Sequence, residues 1–87
     1  MSAERDAPFV HATAVVDAGA KLAAGVKIWH FCHVMAGASL GEGSMLGQNC
    51  FVAGGVRLGR GVRVQNNVSL YDGVELEGGV VVGAAGG

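Results

Sequence analysis

Val34-Met35-Ala36-Gly37-Ala38-Ser39, Leu40-Gly41-Glu42-Gly43-Ser44-Met45 and Leu46-Gly47-Gln48-Asn49-Cys50-Phe51 are three consecutive units of six residues. Each opens on an aliphatic residue, carries Gly or Asn at its fourth place and a small residue at its fifth. Followed outward in both directions, the same beat runs from Val10 to Gly87, thirteen units without an insertion. Every unit begins with Val, Leu or Ile. The fourth residue is Gly at eight positions and Asn at two.

A period of six fits neither the 3.6 of a helix nor a hairpin meander, but it fits a short strand and a tight bend, repeated. Gly and Asn tolerate positive φ at little cost, so their recurrence at one place predicts a left-handed corner in nearly every unit. The fifth and first residues lie two apart across the unit boundary and therefore share the inner side of a strand. Three units close a triangle, and stacked triangles place equal positions above one another at about 4.8 Å per coil. The pattern predicts an all-β domain over residues 10–87, a parallel β-helix of a little over four coils.

The remaining composition narrows the function classes. A formal net charge of −1 with 15% charged residues and no basic run speaks against a nucleic-acid surface. No apolar run approaches the eighteen or so residues that span a bilayer. Residues 1–9 alternate polar and charged types, contain the only proline, Pro8, and lack the apolar middle of a signal peptide; they read as a flexible leader to a cytoplasmic protein. Cys32 and Cys50 both occupy fifth places, one coil apart, and read as buried free thiols serving as small hydrophobes.

Sorting the units by face separates scaffold from chemistry. Two faces carry mostly Ala, Gly and scattered charge. The units beginning Val10, Ile28, Leu46, Val64 and Val82 instead carry His11 and Thr13, then Trp29, His30, Phe31 and His33, then Gln48, Asn49 and Phe51, then Gln65, Asn66, Asn67 and Ser69. Phe31 takes a fourth place, where other units use Gly or Asn, and a bulky residue at a strained corner points to a site. Stacked amides also form structural ladders, but imidazole and indole groups add nothing to a ladder and are costly to expose.

The segments Trp29 to Met35, Leu46 to Val52 and Val64 to Val74 resemble the hexapeptide-repeat nucleotide-sugar N-acetyltransferases that acetylate the 3-amino group of UDP-linked 2-acetamido-3-amino-2,3-dideoxyglucuronate. The resemblance covers His11 to about Gly83. It implies a left-handed coil, acetyl-CoA as co-substrate, a nucleotide-sugar amine as acceptor in surface-polysaccharide synthesis, and a homotrimer with each site between two prisms. His30 and His33, the imidazoles of the matching segments, are candidates for the base, as alternatives to the departing thiolate. Gln48, Asn49, Gln65, Asn66 and Asn67 are candidate hydrogen-bond partners of the substrate, Trp29 and Phe31 candidate stacking groups, and Tyr71 a contributor from the next face. No metal is expected: zinc needs three converging imidazoles, and His11, His30 and His33 occupy different places in their units. The resemblance breaks at Ala84-Ala85-Gly86-Gly87, where the relatives continue into further coils. The chain reads there as a truncated acetyltransferase with impaired turnover or, alternatively, a non-catalytic trimeric scaffold or nucleotide-sugar-binding module.

Overall fold

A computed structural model describes residues 7–83; within them lie thirteen two-residue strands and no helix. Met1 to Asp6 of the leader and the Ala84 to Gly87 end lie outside the described residues. Strands β1 (Phe9–Val10), β4 (Lys27–Ile28), β7 (Met45–Leu46), β10 (Arg63–Val64) and β13 (Val81–Val82) form one parallel sheet, here sheet A. Strands β2 (Val15–Val16), β5 (His33–Val34), β8 (Phe51–Val52) and β11 (Ser69–Leu70) form sheet B. Strands β3 (Lys21–Leu22), β6 (Ser39–Leu40), β9 (Arg57–Leu58) and β12 (Glu75–Leu76) form sheet C. Each strand pairs with its equivalent one coil away in strict register, as Ile28 with Leu46 and Val34 with Val52. The three parallel stacks make this a β-helix of about four coils, in keeping with the left-handed coil that the hexapeptide-repeat resemblance implies.

The inner column follows from the alternation. Val26, Ile28, Val34, Leu46, Val52, Val56, Val62 and Val64 are fully shielded, while Lys27 between two of them stands in solvent. Fully burying one such side chain contributes about 1.5–3 kcal/mol, and every coil adds several. Cys32 and Cys50 stack in this core as free thiols. Ser44, the buried polar residue, donates its hydroxyl to the Gly59 carbonyl at 2.8 Å and accepts the Val62 N–H at 3.2 Å, so its burial leaves nothing unmet.

The corners adopt positive φ as their composition predicts. Seven of the fourth-place glycines do so, together with Phe31 at 58°, Asn49 at 61° and Asn67 at 63°. Gly55 departs from the rule: its N–H donates to Asp72 Oδ1 at 2.8 Å, whereas Gly37, Gly43, Gly61 and Gly79 donate theirs to backbone carbonyls one coil away. Phe9, assigned by composition to the leader, is the first residue of β1, and its N–H donates to the Val26 carbonyl at 2.8 Å.

One expectation about the faces needs correction. The sixth residue of each unit belongs to the strand of the following sheet, because the strands straddle the unit boundary. His33, Phe51 and Ser69 therefore stand on sheet B, around the corner from His30, Gln48 and Asn66.

Candidate functional site

The corner between sheets A and B concentrates the polar and aromatic groups. Its second-place column holds His11, Trp29, Gly47 and Gln65, its third-place column His30, Gln48 and Asn66, and its fourth-place column Thr13, Phe31, Asn49 and Asn67. The upper half of the corner is an amide network. Gln48 N–H donates to Asn66 Oδ1 at 2.9 Å, Asn49 Nδ2 donates to Asn67 Oδ1 at 2.8 Å, and the backbone N–H groups of Asn49 and Asn67 reach the His30 and Gln48 carbonyls at 2.7 and 2.9 Å. The side-chain amides of Gln48 and Gln65 make no hydrogen bond to other described residues and point their capacity to solvent.

The lower half is aromatic. His11 and His30 pack with ring centroids 3.9 Å apart, and Trp29 lies 5.1 Å from Phe9. Thr13 ties this group together: its Oγ1 accepts the Phe31 N–H at 2.9 Å and meets His11 Nδ1 at 2.9 Å, while its own N–H donates to that nitrogen at 3.1 Å. Phe31 is held in left-handed backbone with 66% of its surface exposed. A non-glycine aromatic there costs about 1–2 kcal/mol without any return in burial.

Beside the amides a groove of about 340 Å³ opens, lined by Met45, Gly47, Val64, Gln65, Asn66 and Asn67. Gly47 makes it possible, since a Cβ on that residue would collide with Asn66 Oδ1 and break the bond from Gln48. The groove thus has an apolar floor and neutral donors and acceptors along one rim, the make-up of a small-molecule site.

On the sheet B flank His33 Nε2 donates to Asp17 Oδ2 at 3.1 Å, both residues being partly exposed. An ionised carboxylate only accepts, so in the uncharged ring the lone pair lies on Nδ1. His33 also meets Phe51 edge-on at 5.9 Å, and Phe51 lies 6.1 Å from Tyr71. Of the sequence-derived candidates, Trp29, His30, Phe31, Gln48, Asn49, Gln65, Asn66 and Asn67 come together at the corner. His33 stands on sheet B and Tyr71 just past β11, joined through Phe51 in a separate row. Asp17, Met45 and Gly47 were not singled out by the sequence; writing the chain in rows of eighteen places Gly47 between Trp29 and Gln65 and exposes the notch. His11 and His30 lie on the corner with His33 beyond it, and among the described residues no three His, Cys, Asp or Glu side chains gather as a metal site would require.

Beneath the corner, Cys32 Sγ donates to the Gly47 carbonyl at 2.8 Å and Cys50 Sγ to the Gln65 carbonyl at 3.0 Å. The Cys50 thiol is pushed up, first by its hydrogen-bonding neighbour Cys32 and then by burial. The Cys32 thiol of the pair is held down to about 6, first by its hydrogen bond with Cys50 and against the opposing effect of burial; both residues are buried beneath the groove, where their contacts with the Gly47 and Gln65 carbonyls brace the backbone.

Residues 37–72 match the family described as hexapeptide repeat of succinyl-transferase, and residues 19–54 match bacterial transferase hexapeptide, six repeats. The two matches together span residues 19–72, which include the amide half of the corner and Trp29, His30 and Phe31 of the aromatic half. No curated protein matches the chain.

Proposed function

We propose that this chain, a hexapeptide-repeat protein of the bacterial acyltransferase type, transfers an acetyl group from acetyl-CoA to the amine of a nucleotide-linked 3-amino sugar. The observation that carries the reading is the groove of about 340 Å³ rimmed by Gln65, Asn66 and Asn67. Neutral amides suit hydroxyl and acetamido groups, and Trp29 and Phe31 offer rings for a base to stack on. A homotrimer would complete each groove with a neighbouring prism.

Attack of the amine on the thioester carbonyl forms the C–N bond, the tetrahedral oxyanion collapses, and the C–S bond breaks to release CoA. The amine must lose a proton on the way, while positioning and oxyanion stabilisation carry most of the rate. Of the two histidines, His33 has the arrangement of a base, with Asp17 fixing its ring and Nδ1 bearing the lone pair; standing on sheet B, around the corner from its own groove, it would serve the groove of a neighbouring prism. His30 spends its ring against His11. Asn49 bonded to Asn67 favours a second reading, a non-catalytic β-helix whose amides only cover the corner.

Thiol release from acetyl-CoA, followed with a UDP-linked 3-amino sugar as acceptor, separates the two. The enzyme reading expects turnover by the intact chain, and a fall of about 10²–10⁴-fold in kcat for His33→Ala with a smaller effect of His30→Ala. Full activity in both variants removes the base assignment. Absence of turnover and of binding to either ligand leaves the scaffold.

A further inference from the structure

We propose that Lys27 and Arg63 form an anion clamp over Met45 on the outer face of sheet A, taking the diphosphate of the ligand whose neutral part lies in the groove. The inference rests on reading the groove as a ligand site and adds a charged subsite to it. Lys27 and Arg63 each pair in register with Met45, one from the coil below and one from the coil above. Their Cα atoms are therefore about 9.6 Å apart, twice the strand spacing, and both side chains leave the same face into solvent. Met45, which lines the groove, lies between them. Two long cationic side chains can close on one group above that methionine, the guanidinium as a bidentate fork and the ammonium as a point charge.

Sheet C supplies an internal comparison. It carries Lys21 and Arg57 at the same spacing around Ser39. There, however, the next residue of the column is Glu75, in register with Arg57, whereas Arg63 is followed by Val81. The sheet A column, Phe9, Lys27, Met45, Arg63 and Val81, holds no carboxylate at all. Among the described residues neither Lys27 nor Arg63 enters an ion pair, and Glu42, three residues ahead of Met45, is paired with Arg60 at 3.3 Å. Two basic pairs of equal spacing thus differ in what surrounds them. Only one is free of acid and adjoins a groove with amide partners.

A diphosphate occurs both in a nucleotide-linked sugar and in CoA, and titration calorimetry of the intact chain with UDP and with CoA at low salt distinguishes them. The Lys27→Gln/Arg63→Gln double variant is expected to weaken one ligand by about tenfold or more, and the ligand affected identifies the source. Lys21→Gln/Arg57→Gln, which removes the same charge from sheet C, is expected to change binding by less than about twofold. Equal weakening by both double variants, no weakening by the first, or no binding of UDP or CoA to the unaltered chain would overturn the clamp. Circular dichroism of each variant guards against loss of the fold, and all four side chains are exposed. The acetyl-transfer reading fails separately: clamp-dependent binding without turnover sinks the enzyme and keeps the clamp, and turnover with binding indifferent to the first variant does the reverse.

Discussion

Asn49 stands one coil beneath Asn67, both in left-handed backbone, and its side-chain nitrogen donates to Asn67 Oδ1 at 2.8 Å. The two residues serve at once as corner formers, a role glycine fills elsewhere, and as the crest of the candidate site. Their substitution separates backbone from side chain. Asn49→Gly keeps the permissive corner and loses one hydrogen bond, a change of about 1 kcal/mol. Asn49→Val adds a β-branched residue at positive φ and is expected to cost about 2 kcal/mol or more. Urea denaturation of both variants checks this; equal losses would mean that the corner conformation matters less than the amide.

Phe31 gives the opposite expectation. Replacing it with Gly removes the strained aromatic at φ 58° and leaves the N–H free to keep its bond to Thr13. Stability should stay level or rise by about 1 kcal/mol, while affinity for the nucleotide sugar falls. A Phe31→Gly variant with a lower melting temperature and unchanged affinity would make the ring a packing element instead.

The core predicts a gradient along the axis. Leu46, fully shielded in a central coil, should cost about 2–5 kcal/mol on replacement by Ala. Val10, which is 38% exposed in the first coil, should cost less than about 1 kcal/mol. Denaturation midpoints of the two variants test the ordering.

The Cys50 thiol links stability to pH. Its folded-state pKa lies above the unfolded value, through Cys32 first and burial second. Its contribution is therefore complete below the unfolded pKa of about 8.5 and is lost as pH rises beyond it, by at most about 1.4 kcal/mol per pH unit. Stability measured between pH 8.5 and 10 should fall in the native chain and fall less steeply in Cys50→Ala. Identical slopes would refute the assignment.

The strands, the corners and the inner column were legible because each is fixed locally: an aliphatic first place, a small fifth place and a residue tolerant of positive φ leave one way to fold six residues. Phe31 was legible as an exception to that local rule, and it holds positive φ at a corner where other units use Gly or Asn. The side of the corner on which His33 stands was not, since a strand of two residues straddles the unit boundary and periodicity alone does not say which sheet owns the sixth place. Asp17 escaped because it meets His33 across sixteen residues, a diagonal contact set by side-chain torsions rather than by the eighteen-residue column. Gly55 shows the converse. Its composition promises a left-handed corner, and the carboxylate of Asp72 supplies another way to satisfy its N–H.

The eighteen-residue register from Ile28 to Leu46 to Val64 also limits how this chain tolerates insertion and deletion. Excising one whole storey would lower everything above it while preserving its azimuth, so an engineered chain shortened that way keeps a continuous edge. Removing a single hexad would instead rotate all later residues by a third of a revolution, carrying Gln65 to Asn67 away from His30 with scarcely a mark on the hydrophobic interior.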